Sequence, residues 1–157
     1  MTGRISLLGT TALLFEAPGE MDLEQQRRIW ALAREAESWP EVQEAVAGMN
    51  NLMLVFRTPP RDLAHMEAAL QQAWARGDAV TLDGKTVELP VVYGGEAGPH
   101  LADVVAHTGL SVQDIVRIHA EPLYTVYALG SHPGYCYLGG MDARIATPRR
   151  AVPVVHL

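Results

Sequence analysis

The sequence has a single cysteine, few basic residues and no long apolar run. Cys136 is the only cysteine among 157 residues, which excludes an intrachain disulfide and a zinc site built from several cysteines. A lone thiol is typical of a reducing compartment. The 12 Lys and Arg residues are outnumbered by 18 Asp and Glu residues, and the formal net charge of −6 argues against binding to nucleic acid.

The same composition argues against a membrane protein. No apolar stretch is long enough to cross a bilayer, and the first residues lack the apolar region of a signal peptide. We therefore expect a cytoplasmic protein that binds neither nucleic acid nor membrane. The chain is 48% hydrophobic, which is enough to bury a core.

The first 89 residues predict strands and helices in the order β-α-β-β-α-β. Asp22 and Asp62 are suitable N-caps for two amphipathic helices, and Asn50-Asn51 is a turn signal between two apolar segments. The predicted elements are strand 5–16, helix 22–38, strands 42–49 and 52–56, helix 63–76 and strand 85–89. This order predicts a ferredoxin-like split βαβ domain over residues 1–89, with two helices on one face of an antiparallel sheet.

The character of the sequence changes at Pro90, where we place a second domain over residues 90–157. Two short helices there suggest a helix-turn-helix, but Arg117 is the only Lys or Arg in that stretch, which argues against DNA binding. The predicted elements are strand 90–93, helices 100–107 and 112–119, strand 123–129, and a new strand beginning within 151–157.

A glycine-rich segment, Gly130 to Gly140, follows the strand at 123–129. Its four glycines and one proline predict an irregular loop. Large side chains alternate with the glycines, so the loop either lines a binding site or plugs a core with its aromatic residues. Cys136 could act as a nucleophile with His132 as its base, but no Asp or Asn that would orient the base is identifiable, and the sequence favours a buried or loop thiol.

Other residues near this loop could carry chemistry. His119 and His132 flank the preceding strand, but the six histidines show no metal-binding spacing, and no metal site is predicted. Gly94-Gly95-Glu96 and Gly139-Gly140 could present backbone N–H groups to an anion. Arg149-Arg150 could bind a carboxylate or a phosphate, could be a solvated pair, or could bind an acidic neighbour.

Several of these motifs together resemble the 5-oxoprolinase B-subunit family, which includes sporulation-kinase inhibitor proteins and was long labelled allophanate hydrolase subunit 1. The family is also similar to part of the carboxyltransferase domain of urea carboxylase. The matching residues are Gly94-Gly95-Glu96, His119 with Pro122, Tyr124 to Tyr127, Gly130-x-x-Pro133-Gly134-Tyr135-x-Tyr137-Leu138-Gly139-Gly140-x-Asp142 and Pro148-Arg149-Arg150. Ser131 departs from the family pattern, which often has an aromatic residue there, and His132 stands where the family has no histidine.

The resemblance implies an α+β protein with two domains: the ferredoxin-like domain and a cyclophilin-like β-barrel. Because the family continues beyond the Pro148-Arg149-Arg150 segment, we expect a C-terminally truncated chain with an incomplete barrel. It also implies a subunit, inactive alone, of an enzyme that uses ATP, with Mg²⁺, to open the lactam of 5-oxo-L-proline. The partner would be a barrel protein similar to the C-subunit of 5-oxoprolinase, and the substrate a small amide.

Site roles follow from placing the family motif on this sequence. The expected catalytic residues are His132, Tyr135, Tyr137, Arg149 and Arg150. The expected substrate-binding residues are Glu96, His119, Gly134, Gly139 and Gly140. Two alternatives remain: a regulatory protein that binds and inhibits a sensor histidine kinase, and a structural fragment without activity.

Overall fold

The computed structural model describes residues 2–81 and 83–152. They form two compact units, one of Met1–Gly84 with Thr125–Gly139 and one of Lys85–Tyr124 with Gly140–Leu157. Segment 125–139, which belongs to the first unit, lies beyond the predicted domain boundary at residues 89 and 90. Because a compact unit is not necessarily a domain, the domain boundary between residues 89 and 90 stays a prediction.

A four-stranded antiparallel sheet forms the centre of the first unit. Its strands are β1 (Arg4–Leu7), β2 (Ala12–Glu16), β3 (Val42–Ala47) and β4 (Asn51–Phe56), in the order β1-β2-β4-β3. The predicted single strand 5–16 is wrong, because Gly9 adopts a left-handed conformation at φ 65° and the chain reverses there. Leu8 N–H then donates to the carbonyl of Ala12 at 2.9 Å and closes a hairpin.

Two helices, α1 (Leu23–Ala36) and α2 (Leu63–Arg76), supply the rest of this core. Both begin as predicted, because Asp22 accepts a hydrogen bond from Gln25 N–H and Asp62 accepts one from His65 N–H. Side chains from one face of each helix pack with alternate residues of β2 and β4. The buried set includes Leu13, Phe15, Ile29, Leu32, Leu52, Leu54, Phe56, Met66, Leu70 and Trp74.

The predicted strand 85–89 is absent, and so is the predicted strand 90–93. A split βαβ sheet places its last strand beside its first, but here β1 already pairs with that edge of β2. The predicted β3–β4 hairpin is confirmed, with Asn50 at its turn at φ 58°. The α+β class is confirmed.

The second unit contains two short helices, α3 (Leu101–Thr108) and α4 (Val112–Ala120), close to their predicted positions. Gly109, at φ 71°, ends α3, and the hydroxyl of Ser111 accepts a hydrogen bond from Asp114 N–H to cap α4. A 3₁₀ turn at Ala143–Ile145 completes the unit. Its small core consists of Ile115, Ile118 and Ile145, with Leu101, Val104, Val105 and Leu110 packed around them.

The predicted strand 123–129 is confirmed in β5 (Thr125–Leu129), but the segment that follows it contains a further strand, β6 (Cys136–Gly139), and the two form an antiparallel β-hairpin within the first unit. The loop prediction for residues 130–140 is therefore wrong over β6. The strand expected to begin within 151–157 falls mostly outside the described residues. No helix in the described part of the chain is long and apolar enough to span a membrane.

Candidate functional site

The tip of the β5–β6 hairpin holds part of the predicted site. Gly130 N–H donates to the carbonyl of Tyr135 at 2.7 Å, and Tyr135 N–H donates to the carbonyl of His132 at 3.1 Å. Gly134 has a φ of 80°, a left-handed conformation that a residue with a Cβ adopts at a cost. These constraints make a compact turn in which the polar side chains lie outside.

Two tyrosines, one on this turn and one on β6, face solvent. Tyr135 is 55% exposed and Tyr137 is 42% exposed. Their ring centroids are 5.6 Å apart, with the ring planes almost perpendicular at 76°, a favourable edge-to-face geometry. The interpretation of these rings as a core plug is therefore wrong, and both remain available to contact a ligand.

Cys136 and His132 have separate neighbours in this hairpin. The thiol of Cys136 faces the carbonyl of Gly134 at 3.8 Å, and Nδ1 of His132 lies 3.0 Å from the hydroxyl of Ser131. Both side chains are exposed. The arrangement gives no support to a nucleophile and base pair, which would need Sγ and an imidazole nitrogen in mutual contact.

The aromatic residue that does enter the core is Tyr127, on β5. Val126 pairs with Leu138 and Ala128 with Tyr137, so Tyr127 is the extra residue of a β-bulge, which redirects a side chain. Tyr127 is only 6% exposed, and burial raises the pKa of its phenol.

Tyr127 also fixes the hairpin to α1. Its carbonyl accepts hydrogen bonds from Trp30 Nε1 at 3.1 Å and from Gln26 Nε2 at 3.3 Å. The Tyr127 ring lies edge-on to the Trp30 ring, with centroids 6.1 Å apart. Trp30 therefore has a packing and anchoring role.

His119 is the centre of a polar and aromatic cluster in the second unit. Its Nδ1 lies 2.6 Å from the hydroxyl of Tyr93. The hydroxyl of Tyr124 donates to the backbone carbonyl of His119 at 2.9 Å. All three residues are half-buried. Sequence reasoning identified His119 but missed Tyr93, which lies 26 positions away and carries no local signal for the contact.

The glycine turn after Tyr93 is shaped by its own backbone. Gly94 and Gly95 have φ values of 77° and 58°, and Gly98 N–H donates to the carbonyl of Gly94 at 3.0 Å. Glu96 is exposed on this turn. Its role in substrate binding stays a prediction.

Asp142 and Arg144 form a bidentate ion pair in the second unit. Arg144 Nη2 and Nε lie 2.6 and 3.1 Å from Asp142 Oδ2, and Arg144 N–H donates to Oδ1 at 2.8 Å. These hydrogen bonds lower the pKa of Asp142 to about 2, and those from the guanidinium have the largest effect. Sequence reasoning included Asp142 in its motif but missed this pair; an acidic N-cap two residues before an arginine was the available signal.

The dibasic segment is exposed and only partly paired. Arg150 Nη1 lies 3.7 Å from Asp103 Oδ2, a weak surface ion pair. Arg149 is exposed. No group of three or more His, Cys, Asp and Glu side chains within residues 2–81 and 83–152 has a geometry that could hold a metal ion.

Comparison with known proteins identifies the family. Residues 3–157 match the model of the carboxyltransferase domain, subdomain C and D. The chain belongs to this family. It is 41% identical over 150 residues to the 5-oxoprolinase B-subunit of Escherichia coli O157:H7, covering 96% of this chain and 69% of that protein. It is 38% identical to the 5-oxoprolinase B-subunit of Haemophilus influenzae, covering 93% of this chain and 68% of that protein.

A solved structure also resembles this carboxyltransferase-family chain. The crystal structure of TTHA0988 aligns with a TM-score of 0.64 at 28% identity, covering 90% of this chain and 27% of that one. The match supports the mixed α and β architecture. The ferredoxin-like and cyclophilin-like descriptions of the two parts are finer than this and remain predictions.

The predicted site residues of this family member are divided between the two units. The first unit contains His132, Gly134, Tyr135, Tyr137 and Gly139, and the second contains Glu96, His119, Gly140, Arg149 and Arg150. Within the first unit the structure brings Tyr135 and Tyr137 together. Within the second it surrounds His119 with two tyrosines that the prediction had left without a role.

The paired glycines that end the motif have a packing reason that the sequence did not reveal. A Cβ on Gly139 would lie 2.1 Å from Cζ of Tyr127, and one on Gly140 would lie 2.9 Å from the carbonyl oxygen of Leu123. Gly140 also has a φ of 108°. Neighbouring protein atoms therefore already require a glycine at each position, and a role in substrate binding would be additional.

Proposed function

We propose that this chain is a subunit of an ATP-dependent 5-oxoprolinase, which opens 5-oxo-L-proline to glutamate together with a partner barrel subunit. The observation that carries the proposal is its 41% identity, over 96% of its length, to a protein named as the B-subunit of 5-oxoprolinase. The name describes that relative as one subunit of an enzyme. We accordingly propose that this chain is inactive alone and works in a complex.

The chemistry of a lactam suits the side chains of the candidate site. A five-membered lactam presents one carbonyl oxygen and one N–H, and ring opening places negative charge on that oxygen. Neutral donors such as phenol hydroxyls and imidazole N–H groups can stabilise this charge without themselves being consumed. We propose that Tyr135, Tyr137 and His132 of the first unit serve as substrate contacts. Considered separately, His119 of the second unit is proposed as a hydrogen-bond donor.

The arginines are proposed as anion contacts. Exposed guanidinium groups suit the carboxylate of 5-oxoproline or the oxygens of a phosphoryl group, because a guanidinium can donate two parallel hydrogen bonds. Arg150 is partly offset by Asp103, 3.7 Å away, so Arg149 is the better candidate.

ATP with Mg²⁺, which we propose the assembled complex uses, would supply the phosphoryl group that makes the lactam carbon more electrophilic. The exposed arginines fit the anionic part of such a ligand. The described residues offer no cluster of carboxylate and imidazole groups for the cation, so we assign Mg²⁺ to none of them. We assign no step of phosphoryl transfer to this chain.

Reconstitution tests the proposal. The chain should be combined with its candidate partner subunits, and ATP-dependent loss of 5-oxoproline should be followed by chromatography. Arg149→Ala should lower kcat/KM by roughly tenfold or more, the effect of losing one charge-assisted hydrogen bond. Arg57→Ala is the matched control, because Arg57 is also exposed but lies just after β4.

Two outcomes would oppose the proposal. Unchanged kcat/KM in Arg149→Ala would remove that residue from the site. A complete complex that leaves 5-oxoproline intact, while the isolated chain suppresses autophosphorylation of a sensor histidine kinase, would replace the enzymatic function with the regulatory one.

A further inference from the structure

The imidazole of His119 is held between two tyrosine rings. The ring of Tyr93 is nearly perpendicular to it at 83°, with centroids 5.6 Å apart, and the ring of Tyr124 lies at the same distance, tilted by 46°. His119 is in the last turn of α4, where its backbone carbonyl accepts a hydrogen bond from the hydroxyl of Tyr124. Because burial raises the pKa of Tyr124, this hydroxyl stays protonated at neutral pH. The imidazole is therefore restrained on two sides.

The contact between Tyr93 and Nδ1 of His119 has a preferred direction. An ordinary phenol keeps its proton until the pH is well above neutral. An unprotonated imidazole nitrogen is also a stronger hydrogen-bond acceptor than a phenol oxygen. The separation of 2.6 Å is at the short end of the range for such bonds. Tyr93 therefore donates, and Nδ1 is the acceptor.

We propose that Tyr93 is a positioning residue that holds neutral His119 with its proton on Nε2. A neutral imidazole carries one N–H, and the hydrogen bond at one nitrogen decides which nitrogen carries it. With Nδ1 occupied as an acceptor, Nε2 becomes a donor. No hydrogen-bond partner for Nε2 is present in the part of the chain that the structure describes, so this donor is available to a ligand.

This assignment gives His119 a specific task, which rests on the proposed function. An Nε2–H donor can bind a carbonyl oxygen and stabilise the charge that develops on it, but it cannot remove a proton from an attacking water. His119 is thus an electrophilic donor to the lactam oxygen and not a general base. The ligand class that it selects is a carbonyl or other oxygen acceptor.

The tautomer can be measured directly in the 157-residue chain. Two-bond ¹H–¹⁵N correlation spectra of uniformly labelled protein at pH about 8, where an ordinary imidazole is neutral, distinguish Nδ1–H from Nε2–H. The signals of His119 are assigned by their loss in His119→Gln. We expect the wild type to show protonated Nε2 and unprotonated Nδ1. Protonated Nδ1 would overturn the proposal without any further variant.

Two tyrosine variants separate positioning from packing. Tyr93→Phe keeps the ring but removes the hydroxyl, so His119 should become a mixture of tautomers. Tyr124→Phe removes a hydroxyl whose hydrogen bond, among the described residues, is to the backbone carbonyl of His119, so the Nε2–H tautomer should persist. An unchanged tautomer in folded Tyr93→Phe would overturn the assigned role of Tyr93.

Turnover by the assembled complex provides a second measurement. Tyr93→Phe should lower kcat for 5-oxoproline by about five- to tenfold, the factor supported by one neutral hydrogen bond, with a smaller change in KM. If the spectra show the Nε2–H tautomer but the complex does not consume 5-oxoproline, the proposed function fails and the Tyr93–His119 assignment stands. If the complex is active but the spectra show Nδ1–H, only the assignment fails.

Discussion

Replacing Gly139 with alanine should destabilise the unit that contains the β5–β6 hairpin. The new Cβ would lie 2.1 to 2.5 Å from three atoms of the Tyr127 ring, whereas carbon atoms in contact are normally about 3.5–4.0 Å apart. No positive φ is involved at this position. The effect would therefore come from the clash with the ring and not from backbone strain.

The magnitude follows from what holds the Tyr127 ring. Relief of the clash requires the ring to move by roughly 1.5 Å, away from its edge-on contact with Trp30. Overpacking of this kind in a core costs about 1–3 kcal/mol of unfolding free energy. We expect a value in the upper half of that range, because Tyr127 is only 6% exposed and the β-bulge restricts the displacement of its ring.

Urea denaturation followed by tryptophan fluorescence is a suitable assay, because Trp30, Trp39 and Trp74 all belong to the first unit. Gly84→Ala is the matched control, since nothing lies within 4 Å of its Cβ position. In a Tyr127→Ala background the Gly139→Ala substitution should cost less than about 0.5 kcal/mol. An equal cost in both backgrounds would refute the proposed clash.

Two further predictions concern buried polar contacts and charge. Gln26→Leu should lower the unfolding free energy by about 1–3 kcal/mol, because buried Gln26 accepts a hydrogen bond from Asn50 N–H and donates one to the Gly48 carbonyl, each at 2.9 Å. The control, Gln43→Leu at an exposed position, should lower it by much less. Equal effects of the two substitutions in urea denaturation would contradict this prediction. Arg144→Gln should raise the pKa of Asp142 from about 2 towards its ordinary value of about 3.9, as measured by carboxyl ¹³C NMR. Because folding lowers the pKa of Asp142, the stabilisation from its pair with Arg144 should be fully present above pH about 4 and be lost as pH falls through about 2. A carboxyl titration of Asp142 that is the same in Arg144→Gln as in the wild type would contradict this.

The elements that sequence predicted well are those specified by local chemistry. Helix α2 begins and ends as expected, because an aspartate cap precedes it and Gly77 adopts a left-handed conformation at its end. The β3–β4 hairpin is equally local, with its turn at Asn50. In each case a few neighbouring residues determine the outcome.

The incorrect predictions depended on a partner elsewhere in the chain. Residues 85–89 alternate like a strand, but Val87 and Leu89 are exposed and no strand forms there. Residues 5–16 have the apolar pattern of one strand, but the left-handed conformation of Gly9 reverses the chain within them. The Tyr93–His119 contact spans 26 positions, so no periodicity could have revealed it.

The glycine motif shows why the recognised family pattern did not by itself distinguish packing from binding. Gly139 makes room for the ring of Tyr127, and Gly140 approaches the carbonyl of Leu123, so a loss of activity in either variant could arise from misfolding alone. Tyr135 and Tyr137 are exposed beside these glycines and can be changed to phenylalanine with little expected loss of packing. Activity changes in these two tyrosine variants are therefore the more direct measure of ligand contact, and glycine variants need a stability measurement beside them.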